Sequence, residues 1–351
     1  MKSKVTAGRY ALSYMARGHC GHEALTQFRL REIPICAVCD DGRIGQELDG
    51  FPITDISDIK PSEDLTIFVT SGFNNGMIAK LKKLGLGAYH RNADFGKYES
   101  EKETFDFFVE HSEEVEKVYD LLKDEFSKKL YLNLINYRIS RNPKYLKGMT
   151  EETPQYYPDE PNLRATMPEG FGNHVFMDLG AYDGDSVRGF IEYVGGKYDG
   201  IIAVEASEKN YKFLLESCRD LRNIECINIG IADEKKMMRF SVSDAKNSFA
   251  SPDGECMLDV DSVDNILKDR KVSFIKMDIE GAEYDAIWGA CKTIKKWTPI
   301  LAISVYHLTE DLFRIAFEVE KITPGTYEYY LRHYSPTMIE TVLYAVPKIR
   351  R

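Results

Sequence analysis

The stretch Val175-Phe-Met-Asp178-Leu-Gly180-Ala181-Tyr182-Asp183-Gly184-Asp185-Ser186 decides how this chain folds. Its opening residues are apolar, its middle holds two glycines, and a helix-like run, Val187–Val194, follows. A strand that turns at glycine into a helix opens a doubly wound α/β sheet, whose ligands lie at the carboxyl edge of the strands. Gly180 and Gly184 let the backbone curl there and let a ligand come close.

The turn differs from the pyrophosphate pattern G-x-G-x-x-G, and Asp178, Asp183 and Asp185 crowd it with negative charge. Linked phosphates would be repelled. A ligand carrying an ammonium group and no phosphate suits it, which makes S-adenosylmethionine the expected cofactor. The next strand, Gly200–Val204, ends at Glu205-Ala206, and an acidic residue there accepts hydrogen bonds from ribose hydroxyls. A third strand, Glu225–Gly230, would bring Asn228, Gly230 and Ile231 to the adenine. The expected cofactor-binding residues are therefore Asp178, Gly180, Ala181, Tyr182, Asp183, Gly184, Asp185, Ser186, Glu205, Ala206, Asn228, Gly230, Ile231 and Asp278. Each alone reads equally as turn chemistry; their order and spacing make one site.

A fourth strand leads into Lys276-Met-Asp278-Ile-Glu280-Gly281-Ala-Glu283. Asp278 and Glu280 are two apart, so an extended backbone points both to one side. Glu280 and Glu283 suit a helix start equally well, because the helix dipole favours negative charge there. A fifth strand, Pro299–Val305, ends at Tyr306-His307, which puts a titratable ring at another strand tip. At the carboxyl edge of the sheet Asp278, Glu280 and His307 would sit beside the reactive methyl group, where a base serves if the acceptor must give up a proton. The catalytic candidates are Asp278 or His307 as that base and Glu280 as the residue that orients the acceptor. Tyr327–Tyr334 and Glu340–Val346, joined at Ser335-Pro336, read as a closing hairpin.

The rest of the chain sets limits. It has 351 residues, 46 Lys and Arg against 56 Asp and Glu, and a net charge of −10. That balance disfavours nucleic acid and anionic membranes as partners. No apolar run approaches the roughly 20 residues of a membrane span, and the basic start, Met1 to Gly21, lacks the apolar core of a secretory signal. Cysteines at 20, 36, 39, 218, 226, 256 and 291 are scattered, as in a reduced cytoplasmic protein. His19, Cys20 and His22, or Cys36 and Cys39, lack a second ligand pair, so no metal site is expected. Asp278 with Glu280 could supply part of an oxygen-rich site for a divalent ion.

Three zones follow: a small α/β domain over 1–98, a helical connector with a Pro-rich arm over 99–165, and the main α/β domain over 166–351. In the first, strands at Ile33–Cys39 and Leu65–Thr70 are followed by a helix at Gly76–Leu84. In the second, apolar residues recur at helical spacing up to Leu146, and Pro154, Pro158, Pro161 and Pro168 then preclude a regular helix.

The residues Asp178-Leu-Gly180 to Ser186, Val204-Glu205-Ala206, Asp261-Ser-Val-Asp264 and Lys276 to Glu283 resemble those of the FkbM family of S-adenosylmethionine-dependent methyltransferases. The resemblance covers roughly residues 150–346. It implies a seven-stranded Rossmann-like sheet and methylation of a hydroxyl on a sugar, glycoside or related acceptor. Upstream, Val38 to Gly42 and Gly50 to Ile53 resemble the small Rossmann-like domain of sugar-nucleotide-associated enzymes, although the opening loop keeps only Gly18-His-Cys-Gly21. Two alternatives stand beside O-methylation. One is a non-catalytic nucleotide-sugar or glycan-binding protein with a vestigial second half. The other is N-methylation, disfavoured because no Asn/Asp-Pro-Pro-Tyr motif occurs. A homo-oligomer stays open.

Overall fold

The computed structural model describes residues 10–14, 25, 28–29, 35–61, 65–69, 75–86, 89–91, 103–140, 143–158, 161, 163, 174–242, 248–250, 256–335 and 338–348. The chain splits into two compact units, Met1–Glu103 with Asn136–Lys147, and Thr104–Ile135 with Gly148–Arg351.

The first unit carries a six-stranded sheet of β1 (Tyr10–Tyr14), β2 (Ile35–Cys39), β3 (Glu47–Leu48), β4 (Phe51–Thr54), β5 (Leu65–Val69) and β6 (Tyr89–Arg91), with helix α1 (Asn75–Lys83). Their order is β3-β4-β2-β1-β5-β6, and only the β3–β4 pairing is antiparallel. Successive strand residues face opposite ways, so Val38 joins the apolar cluster of Leu25, Phe28 and Ile53, while Cys39 joins that of Ile56, Ile67 and Leu81. The Gly18–Gly21 loop, His19, Cys20 and His22 lie outside the described residues. Cys36 is exposed and Cys39 buried.

In the second unit, helices α2 (Phe105–Glu110) and α3 (Ser112–Leu121) precede α4 (Glu125–Ser140), within which the division between units falls. Thr104 starts α2 by accepting the Phe107 N–H at 3.1 Å. The main sheet comprises β7 (Val175–Leu179), β8 (Gly200–Val204), β9 (Ile224–Ile227) and four later strands. Helices α5 (Asp185–Tyr193) and α6 (Glu208–Cys218) connect the first three.

Between β9 and the fourth main strand the chain builds a second sheet. It consists of β10 (Gly230–Ile231), β11 (Lys236–Val242), β12 (Ser248–Ala250) and β13 (Cys256–Asp261), ordered β10-β13-β11-β12. The expected third strand therefore ends at Ile227, and Gly230 and Ile231 pair with Val260 and Asp261 instead. Glycine permits this: a Cβ on Gly230 would lie 2.8 Å from Val260 Cγ1.

After α7 (Val263–Leu267) the main sheet resumes with β14 (Phe274–Met277). Helices α8 (Glu283–Gly289) and α9 (Cys291–Trp297) follow, then β15 (Ile300–Ser304), α10 (Asp311–Ile322), β16 (Tyr327–His333) and β17 (Thr341–Pro347). The order is β16-β17-β15-β14-β7-β8-β9, parallel from β15 to β9 and closed by the antiparallel β16–β17 hairpin. The seven-stranded Rossmann-like sheet expected from the sequence is present. Its central strands are buried on both faces, as unbroken apolar runs require. Phe176 stacks on Phe190 with centroids 4.3 Å apart, and Phe274 meets both edge-on.

Residues 148–158 form no helix. They run as a strap held by Glu151 N–H to His333 O at 2.7 Å and by Tyr157 OH to Ser186 O at 2.7 Å. Pro168 lies outside the described residues. Among those described, no helix is long and apolar enough to cross a membrane.

Candidate active site

The carboxyl edge of β7, β8, β14 and β15 gathers most of the singled-out residues of the second unit. After β7 the backbone turns through left-handed Gly180 (φ +80), Tyr182 (φ +46) and Gly184 (φ +87). Gly180 is required there, because a Cβ would stand 1.9 Å from Asp278 O, while the Asp278 N–H bonds Leu179 O at 3.0 Å. The two loops that bear the acids are thereby fixed to each other.

Asp178 is completely buried. The Lys276 ammonium lies 3.0 Å from its Oδ1 and donates to Gly180 O at 2.7 Å, while Ser186 Oγ donates to Oδ2 at 2.5 Å. Burial raises the Asp178 pKa against the pull of Lys276. Burial works the other way on Lys276, yet Asp178 and Asp278 keep its pKa above the ordinary lysine value. Asp178 thus acts on the loop through Lys276, a residue the sequence reading quoted without giving it a role.

Glu205, at the tip of β8, accepts the Tyr182 N–H at 3.0 Å and the Ser207 N–H at 2.8 Å, and burial pushes its pKa up. Asn228 is exposed and turns its amide onto Glu205 O and Ala206 O at 2.8 and 3.0 Å. Asp183 and Asp185 accept N–H groups of Asp185 and Ser186, so these acids shape the start of α5. Ala181 is buried behind the turn. Gly230 and Ile231, in the smaller sheet, are buried too.

Asp278 and Glu280 converge on His307, but not along an extended strand: β14 ends at Met277 and Glu280 is left-handed, φ +57. His307 Nε2 lies 3.4 Å from Asp278 Oδ1 and 3.8 Å from Glu280 Oε2, and its Nδ1 lies 2.8 Å from Glu283 Oε1. Glu283 also accepts the Ile279 and Gly281 N–H groups at 2.8 and 3.0 Å. It therefore starts the helix and orients the ring as well. Burial disfavours a charged ring, but Glu283, Asp278 and Glu280 outweigh it and push the His307 pKa up to about 10. The three surrounding carboxylates thus favour the imidazolium form of the ring.

Asp278 accepts hydrogen bonds from Tyr156 OH at 2.7 Å and Tyr306 OH at 3.1 Å. Burial opposes its charge, yet Lys276, His307 and Tyr156 hold its pKa below the ordinary carboxylate value. Tyr156 belongs to the strap and was missed by the sequence reading, as was Glu340, just before β17. Gln155 Nε2 donates both to Glu340 Oε2 and, at 3.1 Å, to Tyr156 OH. Burial, and then the charge of Asp278, raise the Glu340 pKa. Tyr156 (φ +69) and Glu340 (φ +60) are both left-handed. Such strain, about 1–3 kcal/mol per residue, persists where side-chain placement matters more than backbone ease.

Residues 178–329 match the methyltransferase FkbM domain. That span runs from the buried acid of β7 into β16 and contains Lys276, Asp278, Glu280, Glu283 and His307. The chain resembles the crystal structure of methyltransferase FkbM from Methylobacillus flagellatus KT, at 22% identity and a TM-score of 0.71 over 95% of this chain and 89% of that one. This likeness shows the fold, a Rossmann-like methyltransferase fold. An rRNA methylase from Streptococcus thermophilus is 12% identical, with a TM-score of 0.38 over 57% of this chain and 100% of that one. No curated protein matches the sequence.

Proposed function

We propose that this chain is an S-adenosylmethionine-dependent O-methyltransferase acting on a hydroxyl of a sugar, glycoside or related metabolite. One observation carries the reading: in an FkbM-type domain, the glycine turn after β7 and the Asp278–His307 pair are fixed together at one sheet edge.

The edge fits the cofactor. The turn after β7 has no phosphate-binding pattern and carries Asp183 and Asp185, with Asp178 buried against Lys276 behind it, which suits a cationic amino-acid tail better than linked phosphates. Glu205 stands at the second strand tip as a carboxylate for ribose hydroxyls, with Ala206 and Asn228 beside it. When bound, S-adenosylmethionine supplies an electrophilic methyl group on a sulfonium.

The protein must hold an acceptor oxygen in line with that methyl group and dispose of its proton. The carboxylates around His307 favour its protonated form, which leaves Asp278 as the proton acceptor. Lys276 and His307 keep its carboxylate ionised, and the two tyrosines fix its orientation. Glu280 orients the acceptor.

The test incubates full-length protein with S-adenosylmethionine and a panel of sugars and glycosides, read by mass spectrometry. Gain of one methyl group on a hydroxyl supports the reading; a gain on nitrogen alone moves the chain to another acceptor class.

A further inference from the structure

We propose that Glu340 binds a second hydroxyl of the acceptor, so that the substrate is a neutral polyhydroxylated molecule gripped at two points. This rests on the methyl-transfer reading above and adds the residue that selects the acceptor.

Glu340 comes from the hairpin side of the sheet, beyond the span that matches the FkbM domain. Its link to the transfer point is a chain of hydrogen bonds. Gln155 Nε2 donates to Glu340 Oε2 and to Tyr156 OH at 3.1 Å, and Tyr156 OH donates to Asp278 Oδ2 at 2.7 Å. Two carboxylates are thus held near one another by donors from a single strap, although their like charges repel. The arrangement is costly in a second way, since Tyr156 and Glu340 both adopt left-handed backbone. Glycine or asparagine would sit in those conformations more easily. What the strained positions deliver is a carboxylate at 340 and a hydroxyl that holds Asp278.

An ionised carboxylate accepts up to about four hydrogen bonds. Among the described residues Glu340 Oε2 receives Gln155, which leaves acceptor capacity for hydroxyl donors from a ligand. With Asp278 engaging the hydroxyl to be methylated, Glu340 can take a second one on the same molecule. Asp278, Glu280, Glu283 and Glu340 outnumber the Lys276 and His307 cations beside them, which disfavours phosphorylated or carboxylated acceptors. A neutral sugar or glycoside meets both demands.

The test uses full-length protein and Glu340→Gln with three probe sets: neutral methyl glycosides, their monodeoxy analogues, and glycoside phosphates. S-adenosylhomocysteine affinity and thermal stability, measured first, should be the same in both proteins, which shows that the variant folds. The wild type should prefer one parent glycoside to its monodeoxy analogue. Glu340→Gln should raise KM for the parent about tenfold, as expected when a charge-assisted hydrogen bond becomes a neutral one. It should leave kcat near the wild-type value and shrink the preference over the deoxy analogue by a similar factor. An unchanged preference, a loss confined to kcat, or better turnover of phosphates overturns the proposal. A panel without turnover, with S-adenosylhomocysteine bound normally, also overturns it and leaves the cofactor assignment standing. Failure to bind S-adenosylhomocysteine sinks the methyltransferase reading itself.

Discussion

Lys276 and Asp178 stand opposite each other in the register of the two central strands, with Nζ 3.0 Å from Oδ1 and neither side chain reaching solvent. A buried pair is a poor source of net stability, but removing one partner strands the other charge at a cost of about 3–5 kcal/mol. Asp178→Ala should therefore lower Tm and abolish S-adenosylhomocysteine binding together. Adding Lys276→Met should recover much of the Tm without restoring binding. Thermal denaturation and calorimetry on the single and double variants check this, and a binding-competent Asp178→Ala would refute the role given to the pair.

Asp278 touches the acceptor in this account and takes its proton. Asp278→Asn should keep S-adenosylhomocysteine affinity within a few-fold and cut turnover by about 10²–10⁴. Steady-state rates beside calorimetry separate the two effects. Full activity in the variant would remove Asp278 from the base role.

Much of this was written in the sequence. The strand–glycine–helix opening, the acidic strand tips and the closing hairpin located the main sheet, because unbroken apolar runs leave a parallel strand few alternatives. What stayed hidden depends on contacts distant in sequence. Tyr156 and Gln155 sit in a proline-rich segment with no periodic pattern, and Glu340 is one acid in a hairpin connection. Only the folded chain brings them to Asp278. The break after Ile227 was concealed because isoleucines at 224, 227, 229 and 231 keep the stretch apolar across Asn228 and Gly230. It is set by the close approach of Gly230 to Val260. Asp261 and Asp264, part of the family resemblance, prove to be local supports: Asp264 accepts the Thr293 N–H and hydroxyl at 2.8 and 2.7 Å, and Asp261 accepts the Ser262 N–H at 2.8 Å.

The charge on His307 carries a pH signature. With its pKa pushed up to about 10 from the ordinary 6.5, the folded chain should bind this proton more tightly than the unfolded chain does. The stabilisation is complete below 6.5 and is lost as pH rises through about 10, because the folded state binds the extra proton in that window. Tm should fall between pH 7 and 10, and His307→Gln should flatten the slope. Asp278, whose pKa is lowered, should place no acidic limb on the rate between pH 5 and 8. A His307→Gln slope equal to the wild-type slope over pH 7–10 would show that His307 is neutral.

Gly180→Ala meets both a backbone oxygen 1.9 Å away and a φ of +80 that alanine resists. The strands should survive and the loop should move. Far-ultraviolet circular dichroism should change little while S-adenosylhomocysteine affinity falls at least tenfold. Unchanged affinity would mean that the turn after β7 does not form the cofactor's seat.

The most direct measurement is isothermal calorimetry of the wild-type chain with S-adenosylhomocysteine and, separately, with NAD. Saturable one-to-one binding of S-adenosylhomocysteine, lost in Glu205→Ala, and no heat with NAD is the predicted result. Binding of NAD with none of S-adenosylhomocysteine would contradict the account at its root.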